Sequence, residues 1–154
     1  MIVGLGGLGS ISAYYLIKNR HVEFARRSFS GALIFATVAS LAALVSGHFQ
    51  AKVVYRHQPA KLAAFEGHYE TGAGDLALFG WPDDEAQKLH AKIAVPGMLS
   101  FLLFEDTEKE VLGLDKFRPE DRPPVFLPFF SYHLMIAIGS GFIALTLLSS
   151  FLLW

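Results

Sequence analysis

The sequence contains no cysteine among its 154 residues, which excludes disulfide bonds and thiolate metal sites. Charge is also scarce: charged residues make up 18% of the chain against 53% hydrophobic residues, and the mean hydropathy is +0.40. The formal net charge of −1 provides no basic face for a nucleic acid. The sequence shows no nucleophile elbow, phosphate-binding lysine loop or zinc motif. This composition is typical of a membrane protein, with histidine, methionine and carboxylates as the remaining candidate metal ligands.

Three stretches are apolar enough to enter a membrane. Residues 1–17 carry no charge and sit at the lower length limit for a spanning helix, and residues 29–47 form a longer uncharged run. Residues 125–154 are apolar throughout, with Pro128 near the expected helix start and Trp154 placed as an interface anchor. We therefore predict an all-α membrane protein with about three transmembrane helices.

The segments between these stretches differ in charge. Residues 18–28 form a short connector with four basic residues and one acid, whereas the loop 48–124 carries nine Lys/Arg and thirteen Asp/Glu. The positive-inside rule counts basic residues in short loops, so the connector is predicted to be cytoplasmic. The chain is then a multi-pass protein of the cell membrane, and the loop 48–124 is extracytoplasmic.

The long loop is predicted to contain short amphipathic helices. Residues 73–80 are interpreted as a glycine-punctuated link, and Asp83 as the cap of a helix that runs to Val95 before Pro96 stops it. Residues 98–104 are apolar but too few to cross a bilayer. We expect them to rest in the membrane interface or against the surface of another subunit.

The glycines near the N-terminus permit an alternative class of function. Residues 4–9 satisfy the pattern G-x-G-x-x-G, which would predict dinucleotide binding if a βαβ unit followed. A basic connector and another apolar run follow instead. The pattern is therefore interpreted as glycines in a closely packed membrane helix, with the soluble nucleotide-binding protein as a rival.

The most informative polar residues stand directly after the second apolar run. Pro59 suits the first turn of a helix, which we predict from residue 59 to residue 70. At about 100° per residue, Leu62, Phe65 and Tyr69 share one stripe, and Lys61 and Glu66 flank it. An apolar strip between a base and an acid suits a ring-shaped ligand with polar oxygens at its edges. The alternative is an interfacial amphipathic helix whose charges face water.

This segment, Gln58 to Glu66, resembles the quinol loop of subunit I of the cytochrome bd-type quinol oxidases. The resemblance continues in family order through four further segments: 11–16, 24–29, 78–83 and 132–135. In that family the lysine and glutamate matching Lys61 and Glu66 are implicated in quinol binding and oxidation. The resemblance implies that Lys61 binds or polarises a quinol oxygen and that Glu66 accepts or relays a proton.

The resemblance also implies a haem. Met135 matches the family's axial methionine to the low-spin b haem, although a lone methionine in an apolar helix is more often core packing. His133 stands where many members have an arginine close to that haem. The family's partner histidine is expected before Met1, and the other haems of the family are not supported by residues in this chain. His48 has a similar expected depth, but a solvated interface position is its simpler interpretation.

The function implied by the resemblance is the quinol-oxidising region of a bd-type terminal oxidase, which passes electrons from membrane quinol to a low-spin b haem and on to oxygen reduction. The family's subunit I is several times longer, so we expect this chain to be an enzyme only as part of a quinol:oxygen oxidoreductase. Its expected partners are membrane lipid, quinol, the remaining segments of subunit I, and subunit II, with no nucleic acid. The alternative is a non-catalytic small membrane protein or gene remnant with a scaffold role.

Overall fold

The computed structural model describes residues 2–153, with side chains from residue 6 onward. Its helices and strands, in chain order, are α1 (Ile2–Ile17), α2 (Val22–His57), α3 (Pro59–Glu66), β1 (Gly72–Ala73), β2 (Leu76–Asp83), β3 (Lys88–Val95), α4 (Met98–Phe104), β4 (Glu110–Val111) and α5 (Phe126–Leu153). Two 3₁₀ turns, Leu114–Lys116 and Pro119–Asp121, precede α5. The chain divides into two compact units, one of Met1–Val45 with Ile138–Trp154 and one of Ser46–Ala137.

Helices α2 and α5 are long and apolar enough to cross a membrane, by length and composition. Only 11% and 6% of their most apolar windows are buried, unlike the core helix of a soluble protein. They contain most of the predicted spans 29–47 and 125–154. Helix α1 has 16 residues, fewer than the roughly 20 of a typical span, so a third span stays a prediction. Met1 and the predicted anchor Trp154 lie outside the described residues.

Helix α2 extends beyond its apolar run at both ends. It begins at Val22, inside the predicted connector 18–28, and continues to His57. No proline interrupts these residues, and Pro59 begins the next helix. The helix therefore continues past the end of the apolar run into a polar segment.

In the first unit, small residues allow close helix contacts. A Cβ built on Gly9 would lie 3.4 Å from the Cβ of Ala32, an ordinary contact distance. The glycines 4–9 lie inside α1 rather than in a strand-to-helix turn, so the nucleotide-binding interpretation is wrong.

The second unit contains strands as well as helices, so the all-α prediction is wrong for the loop. Strands β2 and β3 form an antiparallel hairpin, and β1 pairs with β4. The predicted helix from Asp83 to Val95 is instead the end of β2, a turn and β3. Residues 73–80, predicted to be a link, supply most of β2.

Two features explain the hairpin. Asp83 uses its capping ability for the turn, because its Oδ1 accepts hydrogen bonds from the backbone N–H groups of Glu85 and Ala86 at 3.0 and 2.9 Å. Gly80 lets the strands approach closely, since a Cβ there would lie 2.6 Å from Cγ of Leu89.

Helix α4 packs one face on the loop's own core and leaves Met98 and Phe101 exposed, so the expected contact of residues 98–104 with the interface or another subunit stays a prediction. Leu99 and Leu103 are buried in a cluster with Leu62 and Val111. The fully buried Ser100 accepts a hydrogen bond from the Gly74 N–H and donates one to the Lys109 carbonyl, both at 2.7 Å. The loop segment is thus folded around α3.

Candidate functional site

Helix α3 carries both predicted quinol residues and ends earlier than predicted, at Glu66 instead of residue 70. Gly67 terminates it in the left-handed conformation, with φ at 60°, and the His68 N–H bonds the Ala63 carbonyl at 2.8 Å. A Cβ at Gly67 would lie 3.2 Å from the ring of Phe129, so glycine suits both the conformation and the space. Glu66 is consequently the last helical residue, next to a tight turn.

The carboxyl of Glu66 lies in the interior of the second unit. Its residue is 3% exposed, and its Oε2 atom has no hydrogen-bond partner among the described residues. Burial raises the pKa of Glu66 to about 7, although the positive charge of His133 and the neighbouring Tyr132 hydroxyl act to lower it. A carboxyl with this pKa can take up and release a proton near neutral pH.

A cavity of about 190 Å³ adjoins this carboxyl. Its lining is mostly apolar and comes from the end of α3, the start of β2 and helix α5: Glu66, Leu76, Ala77, Leu78, His133, Ile136 and Ala137. Sites for drug-sized molecules usually measure roughly 300–1,000 Å³. The cavity therefore suits a single ring with a polar substituent directed at the carboxyl.

Lys61 occupies a different side of α3. Its side chain is exposed, and its Nζ lies 5.6 Å from the centroid of the Phe65 ring. Phe65 in turn stacks on Tyr132, with the ring centroids 5.0 Å apart and the planes 10° from parallel. Since five residues correspond to about 140° around a helix, Lys61 and Glu66 leave α3 in different directions. An aromatic pair separates the exposed base from the buried acid.

His133 is the residue that the resemblance implies to be close to a haem. Each of its two ring nitrogens lies within hydrogen-bond distance of a backbone carbonyl oxygen. Its Nε2 lies 2.8 Å from the carbonyl oxygen of Ala77 in β2, and its Nδ1 lies 2.8 Å from the carbonyl oxygen of Phe129 in α5. Carbonyl oxygens only accept, so both contacts are hydrogen bonds when both ring nitrogens carry a proton. The ring thus links α5 to β2.

Met135 lies on α5 and is 61% exposed, so its thioether is accessible to a group outside the described residues. A thioether fits the role of one axial ligand to haem iron. Among residues 2–153, no group of three His, Asp or Glu side chains could hold a metal ion. His48 is half-buried in α2. Met135 is thus an exposed haem-ligand candidate, and the described residues form no enclosed metal cage.

Sequence reasoning missed two parts of this site. Tyr132 begins a family segment but has no role predicted from sequence, yet its ring stacks on Phe65 and its hydroxyl adjoins Glu66. Residues 73–80 are predicted from sequence to be a link, yet Leu76 to Leu78 belong to β2 and line the cavity. The available signal was the run of alternating apolar residues in β3, which would have indicated a hairpin.

Comparison with known proteins places these features in a family. The family described as cytochrome bd terminal oxidase subunit I matches residues 1–154. Cytochrome bd ubiquinol oxidase subunit 1 of Bacillus subtilis is 33% identical over 144 residues, which covers 86% of this chain and 31% of the relative. Cytochrome bd-II ubiquinol oxidase subunit 1 of Escherichia coli is 30% identical over 142 residues, which covers 91% of this chain and 28% of the relative.

A solved structure is also similar. The bd oxidase from Geobacillus thermodenitrificans matches with a TM-score of 0.81 and 27% identity, over 94% of this chain and 33% of that chain. The chain spans about a third of the length of the curated relatives it matches.

Proposed function

Because the chain belongs to the cytochrome bd terminal oxidase subunit I family, we propose that it forms the quinol-oxidising region of such an oxidase. The carrying observation is the buried Glu66 carboxyl, one oxygen of which has no hydrogen-bond partner in residues 6–153 and which lines a small, mostly apolar cavity. A quinol head group is a ring with hydroxyl groups at its edge, and it matches the size and polarity of that space.

Glu66 is the proton acceptor in this proposal. Oxidation of a quinol to a quinone releases two electrons and two protons. The unpartnered Oε2 can accept a hydrogen bond from a quinol hydroxyl and then its proton, since the pKa of about 7 balances proton uptake and release near neutral pH. The apolar lining keeps bulk water away from the carboxyl.

Lys61 plays a binding role. Its exposed ammonium group lies 5.6 Å from the centroid of the Phe65 ring and outside the residues that line the cavity, and from there it can attract a quinol head group and donate to one of its oxygens. Tyr132 keeps the Phe65 ring in place by stacking on it. In this proposal, Lys61 helps to bind the quinol and the Glu66 carboxylate accepts its proton.

A low-spin b haem would accept the electrons, and Met135 would supply one ligand to its iron. When bound, this haem supplies one-electron redox chemistry. The exposed thioether fits this role, and the second ligand would come from outside the described residues. We further propose that loop 48–124 is extracytoplasmic and that the remaining segments of subunit I, subunit II and membrane lipid complete the assembly.

The test uses the complete oxidase that contains this chain. Lys61→Ala should mainly raise KM for quinol, because it removes a donor that holds the ligand. Glu66→Gln keeps the shape of the side chain but removes proton uptake, so it should mainly lower kcat. In the wild type, kcat/KM should rise with pH and level off above about 7, and this rise should be absent from Glu66→Gln.

Oxygen reduction driven by an artificial donor that bypasses quinol is the control. It should survive both substitutions. If it fell as much as quinol oxidation did, Lys61 and Glu66 would be supporting the fold and the proposal would fail.

A further inference from the structure

Strand β2 is joined to helix α5 at two separate places within the second unit. At one place, Trp81 of β2 contacts Phe126 and Phe130 of α5, with ring centroids 5.5 and 5.4 Å apart. At the other, Nε2 of His133 lies 2.8 Å from the carbonyl oxygen of Ala77. The two positions on β2 are four residues apart, or about 13 Å along an extended strand.

The second place adjoins the cavity. Ala77 is 2% exposed, and both Ala77 and His133 line the cavity, as do the neighbouring residues Leu76 and Leu78. The hydrogen bond therefore connects the two walls, β2 and α5, that stand beside Glu66. A buried carbonyl that loses its partner is costly, so the strand would shift toward another donor or toward water.

We propose that His133 is a positioning residue that fastens β2 to α5 and so sets the width of the cavity beside Glu66. The inference rests on the proposed function, since the cavity it shapes is the proposed quinol site. It assigns His133 a role through the backbone of the hairpin, in addition to any proximity to haem. The Trp81 contacts are independent of it and keep the hairpin attached when His133 is changed.

Two amide substitutions separate this role from charge and size. In His133→Gln, the side-chain N–H₂ group can occupy the place of Nε2 and still donate to Ala77. In His133→Asn, the shorter side chain places its amide near the position of Nδ1 and cannot reach β2. Both variants lose the ionisable ring and gain an uncharged amide, so they differ mainly in reach.

In the complete oxidase, His133→Asn should raise KM for quinol by roughly three- to tenfold, the effect of one lost hydrogen bond, with kcat little changed. His133→Gln should restore KM to near the wild-type value. The reduced-minus-oxidised haem spectrum should be the same in all three proteins. Equal impairment in both variants, no impairment in either, or a changed haem spectrum that accompanies the rise in KM would overturn the proposal.

A measurement that does not involve quinol keeps this inference distinct from the proposed function. Hydrogen–deuterium exchange in residues 76–95 should be faster in His133→Asn than in His133→Gln. If exchange differs in this way while neither variant affects quinol kinetics, the fastening is real but the cavity is not the quinol site, which overturns the proposed function and the width-setting role. If exchange is equal in the two variants, the fastening itself is refuted.

Discussion

At the scale of single residues, Glu66 is unusual because its carboxyl group is buried without full hydrogen bonding. It is 3% exposed, and one of its oxygens has no hydrogen-bond partner among the described residues. Leaving a buried polar group unsatisfied destabilises a protein, so a residue of this kind points to a functional demand. The unfolded chain has no such constraint, and there the carboxyl has an ordinary pKa near 4.5.

A stability measurement follows from this difference. Because folding raises the pKa of Glu66 to about 7, the folded state binds the proton more tightly than the unfolded state does. The stabilisation by protonated Glu66 is therefore complete below pH 4.5 and is lost as pH rises to about 7. Glu66→Gln cannot ionise, so its advantage over the wild type should grow across this range, by up to about 3 kcal/mol.

The check is the thermal midpoint of the detergent-solubilised oxidase at pH 5 and pH 8. The midpoint of Glu66→Gln minus that of the wild type should be larger at pH 8. Glu108→Gln serves as the matched control, because Glu108 is exposed. A difference that shrinks as pH rises would show that the Glu66 carboxyl is stabilised in its charged form.

Sequence alone proposes Lys61 and Glu66 as site residues, because α3 and its flanks resemble a family signature, and their roles stay a prediction. It could not assign their burial. Helical spacing treats the two as equal borders of an apolar strip, yet Lys61 is exposed and Glu66 is buried. That difference depends on β2 and α5, which lie far away in the sequence and cover only one side of the helix.

At the scale of elements, the glycines of the loop decide how closely its segments approach. Gly113 follows strand β4 and lies against the backbone before β1, where a Cβ would come within 2.6 Å of the Thr71 nitrogen. The Gly113 N–H also donates to Oγ1 of Thr71 at 2.9 Å. The obstacle is backbone rather than a flexible side chain, so the structure has little room to adjust.

Gly113→Ala should therefore destabilise the loop by at least about 2 kcal/mol. Gly72→Ala is the matched control, since nothing lies within 4 Å of a Cβ there, and its effect should stay within about 0.5 kcal/mol. Limited proteolysis of the loop in isolated membranes provides the measurement, with faster cleavage expected in Gly113→Ala only. Equal cleavage of the two variants would contradict the close contact.

The elements also show where pattern reasoning is ambiguous. Helices α2 and α5 were predictable because long apolar runs have few alternative structures. The segment from Asp83 to Val95 was mispredicted because two rules apply to it equally: Asp83 can cap a helix or a turn, and Leu89 and Ile93 can share a helix face or a strand face. Pairing with strand β2 decides in favour of a strand, and the sequence of the segment itself does not show that pairing.

At the scale of the whole molecule, helix α2 is longer than a membrane requires. Its 36 residues extend about 54 Å, whereas the hydrocarbon core of a bilayer is about 30 Å thick. Its last turns carry Lys52 and Arg56, and the Lys52 ammonium pairs with Glu105 of the loop at 3.0 Å. The end of α2 thus belongs to the folded loop, as the division of the chain after Val45 also indicates.

The orientation of this helix is a testable prediction, and the absence of cysteine makes the test direct. Four basic residues in the connector 18–28 predict that the connector is cytoplasmic and that the loop 48–124 is outside. In intact cells, a membrane-impermeant thiol reagent should label Glu108→Cys, which is exposed in the loop. Asn19→Cys, exposed in the connector, should be labelled only after the inner face is opened. The reverse pattern would place Glu66 on the cytoplasmic side and would contradict the proposed extracytoplasmic position of the loop.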